Sequence, residues 1–296
     1  MKHFSGAYAA VLTPRRQGAL DCASFERQLS FLVARGIKGI AINGATGEFP
    51  DVTETELAAL LQSAREQFPQ LQILCGIGSA SLRTTVRLGR LASQAGASAL
   101  LLPMPYFFRY RQDDLLAFAS AVVEKLEAPI LLYNLPQFTT GLEPSTVIEL
   151  MRRHEQIAGV KDSSGLLDIM RAVTEHQPDR VRLIGNDAVL AAAMQEGLSD
   201  GVVSGVACVL PELISSFFHH PVASSQFEHS RALLDEFLAR IGTLPIPWGL
   251  KVISEARGII SSEFPLPLSP ERRAEVAALR NWFSAWSSAL SRADKA

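Results

Sequence analysis

Lys161 closes the apolar run Ile157-Ala158-Gly159-Val160 and stands directly before the polar turn Asp162-Ser163-Ser164-Gly165. Lysine is almost never fully buried unless it is paired. An amine drawn out of water favours its neutral form, and a neutral amine is a nucleophile towards carbonyl carbon. The chemistry suggested by this position is a Schiff base with a carbonyl substrate. Tyr133 ends a second apolar run and is followed by Asn134-Leu135-Pro136. A phenol there can move a proton to or from a substrate hydroxyl, although a lone tyrosine more often uses its hydroxyl to anchor an aromatic body. The third feature is the loop Asn43-Gly44-Ala45-Thr46-Gly47-Glu48. Its glycines allow a sharp turn that presents N–H groups to an anion, and Thr46 adds a hydroxyl donor. A tight turn leading into a helix capped by Thr53 and Glu56 accounts for the same residues without any ligand.

These features matter only if the fold brings them together. The chain repeats one grammar of amphipathic helix, glycine and short β-rich apolar run. Phe25, Leu29, Leu32 and Val33 share a helical face ahead of Gly36 and Ile40-Ala41-Ile42. Leu88 and Leu91 precede Gly96 and Ala99-Leu100-Leu101-Leu102, and Gly197 precedes Gly201-Val202-Val203. Each glycine falls where the residue after a helix takes the left-handed conformation. The strands read as continuous apolar runs, the mark of parallel strands buried on both faces. Runs occur around residues 8–12, 39–42, 72–76, 98–102, 129–133, 157–161, 181–185 and 201–204. Eight such units in roughly 220 residues is the count of a closed (β/α)8 TIM barrel. No GxGxxG follows the first strand, which removes the main signal for a doubly wound dinucleotide-binding sheet.

The α/β barrel is therefore expected over residues 1–224, with a C-terminal helical extension over 225–296 packed on it. Helical patterns run from Pro211 to His219, Ser225 to Ile241, Pro247 to Arg257 and Glu271 to Ser291, the last with Ser269 as N-cap and Pro270 in its first turn. Barrels of this kind carry their chemistry at the C-terminal ends of the strands. Those ends hold the Gly44–Glu48 loop, Tyr133, Lys161, Gly185-Asn186-Asp187 and Ser204-Gly205. An anion cradle, a phenol and an amine would all face one barrel mouth.

Composition narrows the classes. A formal charge of −2 argues against bulk electrostatic binding of nucleic acid or an anionic membrane. Three scattered cysteines, Cys22, Cys75 and Cys208, form no CxxC pair and fit a reducing compartment. The start lacks the apolar region of a signal peptide, and the run from Ala99 to Phe108 is too short to span a bilayer, so a cytoplasmic protein is expected. The six histidines lie off the strand ends and in no ligand spacing such as HExxH, which disfavours a metal-dependent reaction.

The chain resembles the dihydrodipicolinate synthase / N-acetylneuraminate lyase family of pyruvate-dependent class I aldolases. The resemblance runs through Ala10-Val11-Leu12-Thr13-Pro14, Gly44-Ala45-Thr46-Gly47-Glu48, Tyr133-Asn134-Leu135-Pro136, Gly159-Val160-Lys161-Asp162-Ser163-Ser164 and Gly185-Asn186-Asp187. It implies Lys161 as the Schiff-base lysine and Tyr133 as the catalytic tyrosine. Ala45 and Thr46 match the loop that binds the 2-oxo acid carboxylate; Gly44, Gly185 and Ser204, at the strand ends, are further expected substrate-binding residues. It also implies a homo-oligomer, tetramer or dimer, with no metal or organic cofactor. Three departures stand out. Ala45 replaces the first of two adjacent hydroxyl residues. Phe107 replaces a tyrosine that reaches into a neighbouring subunit, leaving Tyr106 as the nearest hydroxyl for an inter-subunit relay. Phe138 lies where synthases carry an arginine that grips a second carboxylate, and an apolar ring offers no bidentate fork. The expected activity is reversible C3–C4 cleavage of a 2-oxo acid into pyruvate and an aldehyde, with a 2-keto-3-deoxy sugar acid as the longer substrate. Dihydrodipicolinate synthesis or a dehydratase using the same iminium are alternatives. A non-catalytic barrel that binds a 2-oxo acid is the reading of another class, motivated by Ala45 and Phe107.

Overall fold

The computed structural model describes residues 4–261 and 263–293; His3 and the last residues of the expected extension lie outside the described residues. Eight parallel strands close into a barrel. They are β1 (Gly6–Ala10), β2 (Gly39–Ile42), β3 (Gln72–Gly76), β4 (Ala99–Pro103), β5 (Ile130–Asn134), β6 (Ile157–Asp162), β7 (Val181–Ile184) and β8 (Gly201–Ser204). Each pairs with its sequence neighbour, and β1 closes the ring against both β2 and β8. Helices α1 (Cys22–Val33), α2 (Glu54–Gln67), α3 (Leu82–Gln94), α4 (Gln112–Val123), α5 (Pro144–Arg153), α6 (Asp168–His176), α7 (Leu190–Gln195) and α8 (Pro211–His219) follow the strands in turn. Gly36, Gly96 and Gly197 have φ of 80°, 79° and 69°, the left-handed backbone that stops each helix and turns the chain into the next strand.

Side-chain alternation separates two cores. Tyr8, Ala41, Leu74, Leu101, Leu131, Tyr133, Leu183 and Val203 fill the barrel interior. Their neighbours along the strands, such as Ile40, Ile73, Leu100, Leu132 and Val202, pack outward beneath the helices. The period of two along a strand forces this division. Tyr8 plugs the N-terminal end of the barrel, with its ring 2.3 Å from where a Cβ on Gly39 would lie. Its hydroxyl donates to Gln72 Oε1 at 2.5 Å, and burial pushes its pKa up to about 12.

The first strand and the stretch after it differ most from the sequence reading. β1 begins at Gly6, because Gly6 to Ala9 pair with Gly201 to Ser204. The stretch after it forms a small hairpin, Arg15–Arg16 against Ala19–Leu20, around the Gln17-Gly18 turn. Both turn residues have positive φ, the backbone that suits a two-residue hairpin loop.

Past the barrel, α9 (Ser225–Ile241), α10 (Trp248–Ala256) and α11 (Pro270–Ala293) bury Phe227, Leu234, Phe237, Val252, Ile253, Val276, Leu279, Phe283 and Trp286 in the same continuous cluster as the barrel helices. Phe237 stacks obliquely on Trp286 with ring centres 5.7 Å apart. No described helix is long and apolar enough to cross a membrane.

Candidate active site at the C-terminal mouth of the barrel

Tyr133 and Lys161 are register partners on the adjacent strands β5 and β6. Paired residues of parallel strands project to the same side of the sheet, so both side chains enter the barrel mouth. Both are buried, and the Lys161 amine lies 3.9 Å from the centre of the Tyr133 ring. The next pair along the register, Asn134 and Asp162, locks the two strand ends. Asn134 Nδ2 donates to Asp162 Oδ1 at 2.9 Å, and Asn134 Oδ1 accepts from Leu142 N at 2.9 Å. Asp162 Oδ1 also accepts from Ser164 N at 2.8 Å. Burial raises the Asp162 pKa, and the Ser164 and Asn134 hydrogen bonds pull it back.

A cavity of about 180 Å³ opens at this end. Lys161, Tyr133, Ala45, Thr46, Gly185 and Phe138 all line it. The Gly44–Glu48 loop is held by Thr13, whose hydroxyl donates to Gly47 O at 2.7 Å, and by a turn in which Glu48 N donates to Ala45 O at 3.0 Å. Among the described residues no hydrogen bond engages the backbone amides of Ala45 and Thr46, so both remain free to donate to an anion. A Cβ at Gly185 would sit 2.2 Å from Ser163 Oγ and 2.9 Å from Lys161 Cε, so any side chain there must displace both.

Other expected site residues lie elsewhere. Gly44 and Ser204 do not line the cavity. The Gly44 carbonyl accepts from Phe49 N at 3.3 Å inside the turn. Ser204 follows the inward-facing Val203 and therefore points outward; its Oγ accepts from Ala207 N at 2.9 Å. Tyr106 packs edge-to-face on Phe49 with ring centres 5.7 Å apart and does not reach the cavity. Phe107 is 84% exposed and has φ 86°, a strained backbone for a bulky side chain. It stacks edge-to-face on the exposed Phe108.

Sequence reasoning placed Asp187 at a strand end but gave it no role. It sits in the turn after β7, lines the cavity and is buried. Oδ2 accepts from Val206 N at 3.3 Å, while Oδ1 has no hydrogen-bond partner among the described residues. Burial pushes its pKa up to about 6, and the Ser204 hydroxyl, the Val206 amide and the Lys161 charge pull against that shift. Its position at a strand end beside Gly185 was the available signal. A second buried lysine, Lys251 on α10, ties the extension to the mouth loop. Its amine lies 2.5 Å from Glu48 Oε2 and donates to Glu263 O at 2.7 Å. Among the described residues no group of three or more His, Cys, Asp or Glu side chains is arranged to hold a metal ion.

A parallel eight-stranded barrel with a buried lysine beside a phenol at its C-terminal mouth is the architecture of a Schiff-base lyase of the class I aldolase kind. The chain belongs to the dihydrodipicolinate synthetase family, whose model matches residues 3–285. It is 31% identical over 283 residues to a 4-hydroxy-tetrahydrodipicolinate synthase of Campylobacter jejuni, covering 92% of this chain and 93% of that one. A synthase of Hydrogenobaculum is 30% identical over 272 residues, covering 89% and 92%. Among solved structures, the chloride-inhibited dihydrodipicolinate synthase of Acinetobacter baumannii complexed with pyruvate superposes with a TM-score of 0.87 at 25% identity, covering 95% of this chain and 98% of that one.

Proposed function

We propose that the protein joins or splits pyruvate and an aldehyde through a Schiff base on Lys161. The free Lys161 amine attacks the 2-oxo carbon, and loss of water gives an iminium ion that acts as an electron sink. In the cleavage direction the C3–C4 bond breaks, its electron pair forms the enamine, and the C4 hydroxyl loses its proton to leave as an aldehyde. Protonation of the enamine and hydrolysis then release pyruvate. Condensation runs these steps in reverse. Tyr133 carries the C4 hydroxyl proton. The amides of Ala45 and Thr46, with the Thr46 hydroxyl, hold the 2-oxo acid carboxylate and orient its carbonyl. The carrying observation is the register pairing that sets the Lys161 amine 3.9 Å from the Tyr133 ring centre inside the cavity.

Names of the relatives support the condensation direction, as in 4-hydroxy-tetrahydrodipicolinate synthesis, more than cleavage of a sugar acid. The exposed, strained Phe107 and its neighbour Phe108 support a homo-oligomer in which this segment meets a second copy. The scattered thiols support a cytoplasmic setting.

Borohydride reduction in the presence of pyruvate tests the reading. One reduced pyruvate per chain, mapped to the Lys161 peptide and absent in Lys161→Ala, is expected. Folded wild-type protein that gains no mass in excess pyruvate sinks the proposal.

A further inference from the structure

The cavity has a charge pattern that bears on the aldehyde partner. Among the described residues, Lys161, Tyr133 and Asp187 are its only lining side chains that can ionise. Lys161 is consumed by the Schiff base, and the other two are acids. Among the described lining residues no cation remains to hold a carboxylate on the aldehyde. A buried anion without a paired charge or hydrogen bonds is strongly disfavoured.

The walls are unequal. One side carries Gln137, Ser163 and Asn186, and two of these are already engaged. Gln137 Nε2 donates to Ser163 O at 2.8 Å, and Asn186 Oδ1 accepts from Ala188 N at 3.1 Å. Gln137 Oε1, Asn186 Nδ2 and Ser163 Oγ keep polar capacity there but carry no charge. The other side is apolar: Leu135, Phe138, Leu238, Ile241, Ile246 and Leu250, contributed by the β5 loop, α9, α10 and the segment between those helices. Phe138 and Ile246 are 50% and 64% exposed, and both line the cavity that the buried Leu250 also lines. Single exposed apolar side chains need no explanation, but two at the opening of one apolar-walled cavity describe a binding face.

We infer that the aldehyde partner carries an uncharged apolar group, aromatic or branched aliphatic, in place of a carboxylate. The group would lie against Phe138, Ile246 and Leu250 while the aldehyde carbon meets the enamine. This inference rests on the Schiff-base reading above and adds the substrate class to it.

The test pairs two measurements on the wild-type protein. Borohydride trapping with pyruvate reports the Schiff base alone. Condensation is then followed as pyruvate consumption with benzaldehyde, 3-methylbutanal, glyoxylate and glyceraldehyde. A matched hydrophobic contact discriminates by ~10-fold or more, so kcat/KM for benzaldehyde or 3-methylbutanal should exceed that for glyoxylate and glyceraldehyde by at least that factor. Phe138→Arg and Ile246→Lys should each shift the benzaldehyde-to-glyoxylate ratio towards glyoxylate. The ratio is read within one protein, so loss of active material cancels, and the exposed Ile246 provides a second site if the first variant folds poorly. Trapping followed by a preference for glyoxylate or glyceraldehyde overturns this inference while leaving the Schiff base intact. Absence of trapping instead overturns the reading beneath it.

Discussion

Asp187 gives the sharpest link between the site and measurable stability. Its carboxyl is buried, one oxygen has no partner among the described residues, and its pKa rises from 3.8 to about 6. The folded state therefore binds the proton more tightly than the unfolded chain. The resulting stability is fully present below pH 3.8 and is lost as the pH rises through about 6. About two pKa units at 1.36 kcal/mol each correspond to a loss of about 3 kcal/mol at pH 8. Asp187→Asn removes the buried charge and keeps an oxygen to accept the Val206 amide. The new amide group faces the same unpartnered position as Oδ1, which offsets part of the gain. The variant should therefore be more stable than wild type by about 1–3 kcal/mol at pH 8, with the gap falling well below about 1 kcal/mol at pH 4. Urea unfolding at equal protomer concentration and pH 8, 6 and 4 measures it, since association would otherwise shift the midpoints. A gap that does not change with pH refutes the argument, as does a variant less stable at pH 8. Turnover should fall in the same variant, because the negative charge near the Lys161 side chain is gone.

Two other substitutions probe how the site is held. Gly185→Ala places a methyl 2.9 Å from Lys161 Cε, so the lysine stem must move; kcat should drop by ~100-fold while the circular dichroism spectrum is retained, and near-normal kcat would show that the lysine has slack. Lys251→Met leaves Glu48 without its amine and should cost about 3–5 kcal/mol in urea unfolding; adding Glu48→Gln should recover most of it, and equal instability of single and double variants would refute a coupled pair.

The barrel was legible because its rules are local and repeated. Apolar runs in β2 to β8 and the glycines at 36, 96 and 197 each specify one turn of the same pattern, and the left-handed φ values follow. The core of the site was legible for the same reason: strand ends are where a barrel exposes functional groups, and Lys161 is conspicuous there. What was hidden depends on direction and distance. Ser204 sits at a strand end, yet the twofold alternation turns it away from the cavity while Val203 faces in. A one-residue uncertainty in register is enough to misplace such a side chain. Leu238, Ile241 and Leu250 carry no local sign of lining a substrate cavity, because they have the same spacing as any buried helix face. Their role emerges only when α9 and α10 fold back over the mouth.

That fold-back bears on proton transfer. Ala45 offers a methyl where a relay would need a hydroxyl, Phe107 has no hydroxyl, and Tyr106 is turned into the packing against Phe49. Among the described residues Tyr133 is thus the only phenol lining the cavity, and Asp187 the only carboxyl. The only other hydroxyl side chains lining the cavity among the described residues are those of Thr46 and Ser163, and the Ser163 hydroxyl has no partner among them. If Tyr133 carries the C4 hydroxyl proton as proposed, that proton's onward route depends on those two hydroxyls, on the substrate or on water, while Leu238, Ile241 and Leu250 from α9 and α10 give the same mouth an apolar lining.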